Sequence, residues 1–358
     1  MVRKIMLTGG GSAGHVTVNL ALIPRLQAEG WTVEYIGSHT GIEKQLIANA
    51  ASVQYFGIAT GKLRRYMDWN NVKDPFKVVQ GVVQAYRIIK RSRPDVIFSK
   101  GGFVSVPVVL GAKLSGVPVI IHESDLTPGL ANRIAIPLAT KVCTTFPDTD
   151  RHLPKSKAHY VGAVIREALN RGSMARGRAW SGLAADKPVL LIMGGSLGSR
   201  KINLAVREAL ADLLERYQVV HLCGRGQTDD TARAPGYIQA EYIQDELPDV
   251  LAMTDLVVSR AGSNSIFEFL HLRKPMLLIP LTKAQSRGDQ ILNAQSFRQA
   301  GYSDVLPEEA LTAEALVSRI DRLYADRQAY IRRMEAGAPH TDALANVMDL
   351  IKRVAKRR

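Results

Sequence analysis

One pattern constrains this chain more than any other, and it occurs twice. Lys4-Ile5-Met6-Leu7-Thr8 runs into Gly9-Gly10-Gly11-Ser12-Ala13-Gly14, and a helical stretch with Leu20, Ile23 and Leu26 follows. Later, Pro188-Val189-Leu190-Leu191-Ile192-Met193 runs into Gly194-Gly195-Ser196-Leu197-Gly198, and a helical stretch with Ile202, Leu204 and Val206 follows. Strand, glycine-rich turn and helix form the first βα unit of a doubly wound domain. Two such openings about 185 residues apart predict an α/β chain of two Rossmann-like domains facing across a cleft. Thr32–Ile36, Val96–Phe98 and Val117–Ile121 read as further buried parallel strands, with helices on both sheet faces. The polar stretch Asp148–Lys157 and the segment Tyr160–Leu169 are expected at the crossing between domains. Arg171–Asp186, with its Gly and Arg residues, reads as a surface loop opening the second domain. The expected domains are residues 1–160 and 161–340.

Composition narrows the partner. Lys and Arg number 47 against 33 Asp and Glu, a net charge of +14, which points to an anionic ligand or surface. Nucleic acid is disfavoured, because aromatics are only 6% and no nucleic-acid module is legible. Cys143 and Cys223 lie far apart in apolar, strand-like runs and read as two reduced core thiols. The apolar run ending at Leu7 is too short for a signal peptide. Phe103–Ile121 is broken by Pro107, Lys113 and Pro118 and falls short of a membrane span. A membrane, if one is involved, is met at its surface.

The glycine turns carry the chemistry. Gly9-x-Gly11-x-x-Gly14 matches the dinucleotide fingerprint in form. A nicotinamide-binding domain would place an acidic residue at the end of its second strand. Here Glu34 lies inside that strand, which ends at Gly37-Ser38, and this counts against NAD and an oxidoreductase. Both turns bare backbone N–H groups at a helix start and suit a phosphate, although a tight turn alone would also demand glycine. A third turn, Ser259-Arg260-Ala261-Gly262-Ser263-Asn264-Ser265, precedes a helix with Glu268. Its Ser and Asn read either as helix caps or, with Glu268, as ligand contacts. Arg166 reads as a bidentate phosphate contact or a solvated arginine.

An ordered set of motifs then narrows the choice. It comprises Gly10-Gly11-Ser12-Ala13-Gly14-His15, Lys100-Gly101-Gly102-Phe103-Val104-Ser105-Val106-Pro107, His122-Glu123, and Gly129-Leu130-Ala131-Asn132. Gly194–Gly198, Ser259-Arg260-Ala261-Gly262 and Gly288-Asp289-Gln290-Ile291-Leu292-Asn293-Ala294 follow in order. With this set, almost the whole chain resembles the MurG family, UDP-N-acetylglucosamine:lipid I transferases of peptidoglycan synthesis. The resemblance implies the two-domain inverting glycosyltransferase fold (GT-B), with the helix at 341–358 packing back on the first domain. It implies transfer of N-acetylglucosamine (GlcNAc) from UDP-GlcNAc to the C4 hydroxyl of the N-acetylmuramic acid of lipid I, giving lipid II and UDP. The nearest alternative is a UDP-sugar transferase acting on another membrane lipid such as diacylglycerol, which the loops Gly10–His15 and Lys100–Pro107 disfavour.

The same resemblance implies site roles. Glu268 would hold the ribose, and Arg166, Ser196 and Ser265 the diphosphate. The Ile243 backbone would read uracil, and Asp289 and Gln290 the sugar. Ser12, Gly14, Ser263 and Asn264 would line the donor. Gly10, Gly11, Gly14, His15, Gly101 and Gly102 would hold the acceptor diphosphate. The family's usual Asn stands here as Asp125, the first of its Gln pair as Asp289, and a common Pro as Val18. Such a reaction needs a proton acceptor, and His15 is the leading candidate with Asp125 its rival. Asp148-Thr149-Asp150 is a metal-binding pair in spelling only, since it falls in the interdomain stretch, so metal-independent activity without a cofactor is expected. Basic residues from Lys62 to Arg93 interleave with Leu63, Tyr66, Met67, Trp69, Phe76, Val78 and Val79, which suits docking on an anionic bilayer. The implied location is peripheral, on the cytoplasmic face of the bacterial cell membrane, near other cell-wall synthesis and division proteins.

Overall fold

The computed structural model describes residues 3–48, 50, 52–61, 70–195, 197–337 and 342–356. The chain divides into two compact units, one of Met1–Val164 with His340–Arg358 and one of Ile165–Pro339. The first holds β1 (Lys4–Thr8), β2 (Thr32–Ser38), β3 (Gln54–Ile58), β4 (Val96–Ser99), β5 (Val119–Glu123), β6 (Lys141–Thr144) and β7 (Ala158–Tyr160). They form one sheet in the order β3-β2-β1-β4-β5-β6-β7, parallel at every pairing. The second unit holds β8 (Val189–Met193), β9 (Gln218–Leu222), β10 (Tyr237–Ala240), β11 (Leu256–Ser259), β12 (Met276–Leu278) and β13 (Ser303–Val305). Their order is β10-β9-β8-β11-β12-β13, again all parallel. Each order reverses once, between β1 and β4 and between β8 and β11. The loops leaving those neighbours part to opposite faces and open a crevice at the strand C-termini.

The strands are apolar throughout because helices cover both faces. Ile5 and Leu7 point to one layer, with Leu22, Ile23 and Leu26 of the helix Thr17–Ala28. Met6 points to the other, with Ala85, Ile89, Val108 and Val109. The helix Ala343–Val354 completes the first layer with Val347, Met348, Leu350 and Ile351. Asp342 caps it by accepting from the Ala345 N–H at 3.0 Å, and Lys352 pairs with Glu29 at 2.7 Å. Among the described residues no helix is long and apolar enough to cross a membrane. Cys143 and Cys223 are buried free thiols.

The structure corrects four local expectations. Arg171–Asp186 is not simply a loop, since it contains the helix Met174–Ser181. Its Gly and Arg residues are contact residues: a Cβ at Gly177 would lie 2.4 Å from the Asp249 carbonyl, and Arg176 grips the Asp249 carboxylate at 2.7 and 2.9 Å. Asp148–Lys157 lies inside the first unit, between β6 and β7, because β7 extends that sheet. β5 begins at Val119, after Pro118, which has no N–H to give the ladder. Leu204 faces outward at 54% exposure, because Ile202, Ala205 and Val206 occupy the buried face of that helix.

Ile351 is fully buried. Ile351→Ala should cost about 2–5 kcal/mol, through lost apolar burial and the cavity left behind. Urea unfolding followed by circular dichroism would measure this.

Candidate active site

In the first unit the loops after β1, β4 and β5 meet at the switch point. The turn Gly9–Gly11 is held from below by three side chains. Tyr35 donates its hydroxyl to the Gly9 carbonyl at 2.7 Å, and Asn19 Nδ2 donates to the Thr8 carbonyl at 3.1 Å. The buried Glu43 carboxylate accepts from the Gly11 N–H at 3.2 Å, the Ser38 N–H at 3.0 Å and the Ser38 hydroxyl. Gly102 lies in the left-handed region (φ 81°), and a Cβ there would sit 2.2 Å from the Gly10 carbonyl and 3.0 Å from His15 Nδ1. Only glycine permits that approach of two loops. Gly10, Gly11, His15 and Gly102 are therefore brought together, with Gly101 beside them.

His15 ends a short 3-10 turn, Ala13–His15. Its Nδ1 lies 3.1 Å from the Gly10 carbonyl and 3.0 Å from the Ser12 hydroxyl oxygen. A carbonyl only accepts, so that contact places the ring proton on Nδ1 and the basic lone pair on Nε2.

The loop after β5 is organised by Glu123. Its buried carboxylate accepts from the Asp125 N–H at 2.9 Å, the Gly129 N–H at 3.0 Å and Asn132 Nδ2 at 2.8 Å. Burial and the neighbouring Asp125 charge push the Glu123 carboxyl up against those donors. Beside it stands Lys100, 2% exposed, whose ammonium donates to the Ser124 hydroxyl. Burial lowers the Lys100 ammonium to about 8, against the opposing pull of Glu123, Asp125 and Cys143. His122 is fully buried, and desolvation followed by the Lys100 charge holds it well below the usual histidine range, so it is neutral.

In the second unit the loops after β8 and β11 open the corresponding crevice. Gly198 has φ 73°, and a Cβ there would lie 1.9 Å from the Cys223 carbonyl. Gln227 Nε2 donates to the Leu197 carbonyl at 2.6 Å, which anchors the turn. Ser196 lies outside the described residues. Ser199 caps the helix Arg200–Glu208, accepting from the Ile202 N–H. The buried Arg260 donates to the Ser199 hydroxyl at 2.6 Å and the Ile279 carbonyl at 3.0 Å, and pairs with buried Glu308.

The helix Ser263–His271 starts from Gly262, with no side-chain cap. Ser263, Asn264 and Ser265 thus lie in its first turn rather than capping it, and the capping reading does not hold. A Cβ on Gly262 would meet nothing within 4 Å. Glu268, second turn, accepts from Arg166 Nε and Nη2, both at 2.7 Å. The expected ribose contact and the expected diphosphate contact are thus each other's partners, with Glu268 the more buried. The helix Asp289–Gln299 follows Gly288 (φ 84°), and Gln290 Oε1 accepts from the Leu281 N–H at 3.1 Å. Ile243 is buried at 6% exposure in the stretch following β10.

Asp148-Thr149-Asp150 lies on the turn Pro147–His152 of the first unit, not between domains. Asp148 pairs with Arg151 at 2.8 Å, and Asp150 accepts from the Thr144 hydroxyl at 2.8 Å. Among the described residues no group of three or more His, Cys, Asp or Glu is placed to hold a metal ion.

Sequence reasoning missed Glu43, Tyr35, Asn19, Lys100, Asn132, Arg260 and Glu308 as loop anchors. One signal was present: Phe98-Ser99-Lys100-Gly101 and Val258-Ser259-Arg260-Ala261 each put a cation directly after the strand beside the switch point.

Comparison with known proteins matches residues 5–144 to the glycosyltransferase family 28 N-terminal domain and residues 189–353 to its C-terminal domain. A Geobacillus thermodenitrificans protein is 58% identical over 357 residues, spanning 99% of this chain and 100% of its own. An Oceanobacillus iheyensis protein is 55% identical over 355 residues, spanning 99% of each. Both are named UDP-N-acetylglucosamine–N-acetylmuramyl-(pentapeptide) pyrophosphoryl-undecaprenol N-acetylglucosamine transferase. The crystal structure of Acinetobacter baumannii MurG superposes with a TM-score of 0.77 at 28% identity, over 98% of this chain and 99% of that one.

The glycines differ in what they tolerate. Gly198→Ala should lower the melting temperature, since left-handed strain alone costs about 1–2 kcal/mol before the clash is counted. Gly262→Ala has ordinary φ and open space, so stability should stay within about 0.5 kcal/mol. Thermal melts of the two variants would check both.

Proposed function

The chain belongs to glycosyltransferase family 28, and from that membership we propose that it transfers N-acetylglucosamine from UDP-N-acetylglucosamine to lipid I. The product is lipid II, with release of UDP. One observation carries the reading: each unit sets a glycine turn and a helix start at its switch point, in a chain alike over its full length to transferases so named.

In this reading the second unit takes the donor. Departure of UDP builds charge on its diphosphate, which oriented amides at the turn 194–198 and at the start of the helix Ser263–His271 would stabilise. Ser196, Ser263, Asn264, Ser265 and Arg166 would hold that diphosphate, and Glu268 the ribose. Binding then exchanges the Arg166–Glu268 pair for two contacts with the ligand. The Ile243 backbone would face uracil, and Asp289 and Gln290 the sugar. Ser12 and Gly14 are further proposed contacts of the donor.

The first unit takes the acceptor. Gly10, Gly11, Gly14, Gly101 and Gly102 would present backbone to its diphosphate. His15 would accept the proton of the acceptor hydroxyl through Nε2 as the hydroxyl attacks the anomeric carbon, a single displacement that inverts configuration. Asp125 is the rival base. No step of this scheme calls for a metal ion.

A lipid acceptor also requires a surface. The helix Asn70–Ser92 exposes Phe76, Val79, Val83 and Tyr86 at helical spacing, a row that would enter an anionic bilayer. Lys77, Arg87, Lys90 and Arg91 are exposed on the same helix. Lys62–Trp69, the other half of the expected basic segment, lies outside the described residues. This supports a peripheral position at a membrane surface, which the reading puts on the cytoplasmic face.

Two measurements test the reading. UDP release should require both UDP-GlcNAc and a short-chain lipid I analogue and should survive chelator, and His15→Ala should lower kcat by about 10²–10⁴. No release with UDP still bound would discard lipid I, and no UDP binding would sink the proposal. Phe76→Glu should weaken co-sedimentation with anionic vesicles while leaving turnover of the soluble analogue unchanged.

A further inference from the structure

We propose that Lys100 is a positioning residue for the acceptor: its buried ammonium offsets the carboxylate this chain carries at Asp125, so that the loop after β5 can face an anionic diphosphate. This rests on the acceptor reading above and adds a residue to it.

The case starts from where Lys100 stands. It directly follows β4, at the switch point, and is 2% exposed. A lysine so buried needs anionic or hydrogen-bonding company. The groups facing it come from two elements: neutral His122, Glu123, Ser124 and Asp125 on β5 and its loop, and Cys143 on β6. Glu123 already accepts three N–H bonds that shape the loop. Asp125, two residues on, adds a second carboxylate to the same loop. The extra negative charge lies beside turns that would hold a diphosphate, and like charges there oppose binding. The Lys100 ammonium lies within reach of that charge electrostatically and tethers the same loop through Ser124.

The second unit repeats the device. Arg260 follows β11 as Lys100 follows β4, and β11 neighbours β8 as β4 neighbours β1. Its guanidinium is buried, faces a carboxylate, Glu308, and donates to a serine, Ser199, at the phosphate-type turn. A buried cation beneath the crevice is thus common to both units. In the first it takes the form of a lysine that can lose its proton.

That proton sets the pH dependence. Burial depresses the ammonium to about 8, so the charge is present below that pH and is lost as pH rises through it. Acceptor binding should weaken over the same window.

The experiment is a double-mutant cycle on acceptor KM, with the short-chain lipid I analogue and saturating UDP-GlcNAc. At pH 7, Lys100→Met should raise acceptor KM about tenfold with Asp125 present and less than about threefold in Asp125→Asn, with donor KM unchanged. An equal cost in both backgrounds would mean a structural role and overturn the proposal. In the wild-type protein acceptor KM should climb as pH passes about 8, and the climb should vanish in the double variant. Its persistence there would also overturn the proposal. If Asp125→Asn abolishes turnover, equilibrium titration of the analogue against the same four proteins reads the same coupling. If Lys100→Met does not fold, Lys100→Gln enters the cycle in its place. A wild-type protein that neither binds nor turns over the analogue would bring down the functional reading itself, a failure visible without any variant.

Discussion

Everything placed at the two crevices depends on the close approach of one backbone to another, and glycine alone allows it. In the first unit Gly102 meets the Gly10 carbonyl, and in the second Gly198 meets the Cys223 carbonyl. The first approach joins the loops after β1 and β4, where the sheet order reverses, and the second joins the loops after β8 and β9, beside the reversal between β8 and β11. Side chains at these positions would hold the turns apart. The helices behind them would then start in the wrong place, and their amides would no longer converge.

Glycine makes the approach feasible but does not hold it. In the first unit rigidity comes from buried polar side chains beneath the turn: Glu43 on the Gly11 and Ser38 amides, Tyr35 on the Gly9 carbonyl, Asn19 on the Thr8 carbonyl. In the second it comes from Gln227 on the Leu197 carbonyl and Arg260 on Ser199. Such networks are costly when half satisfied and stiff when complete. A stiff turn suits a transferase, because donors already oriented toward developing charge need no reorganisation as the bond breaks.

The ion pairs divide along the same line. Arg260–Glu308 is buried on both sides and belongs to the scaffold. In Arg166–Glu268 the arginine stays about one-third exposed, so that pair reaches the solvent side of its unit. The first unit's share of positive charge includes one buried lysine, Lys100, directly after β4. The exposed basic residues of the helix Asn70–Ser92 serve a different surface.

The doubling of strand, glycine turn and helix was legible in the sequence, because strand period, glycine and helical spacing are local properties. The ordered motifs along the chain carried the family in the same way. Where short-range pattern was ambiguous it misled: Gly177 and Arg176 resembled loop residues and proved to be the buried face and clasp of a helix. What only the tertiary structure decided is which polar side chains serve the turns. Glu43 reaches back 32 residues to Gly11, and Arg166 reaches 102 residues to Glu268. Spacing along the chain carries no trace of such pairs. They exist because the order of strands in each sheet brings distant loops to one edge, and buried charges must find partners there.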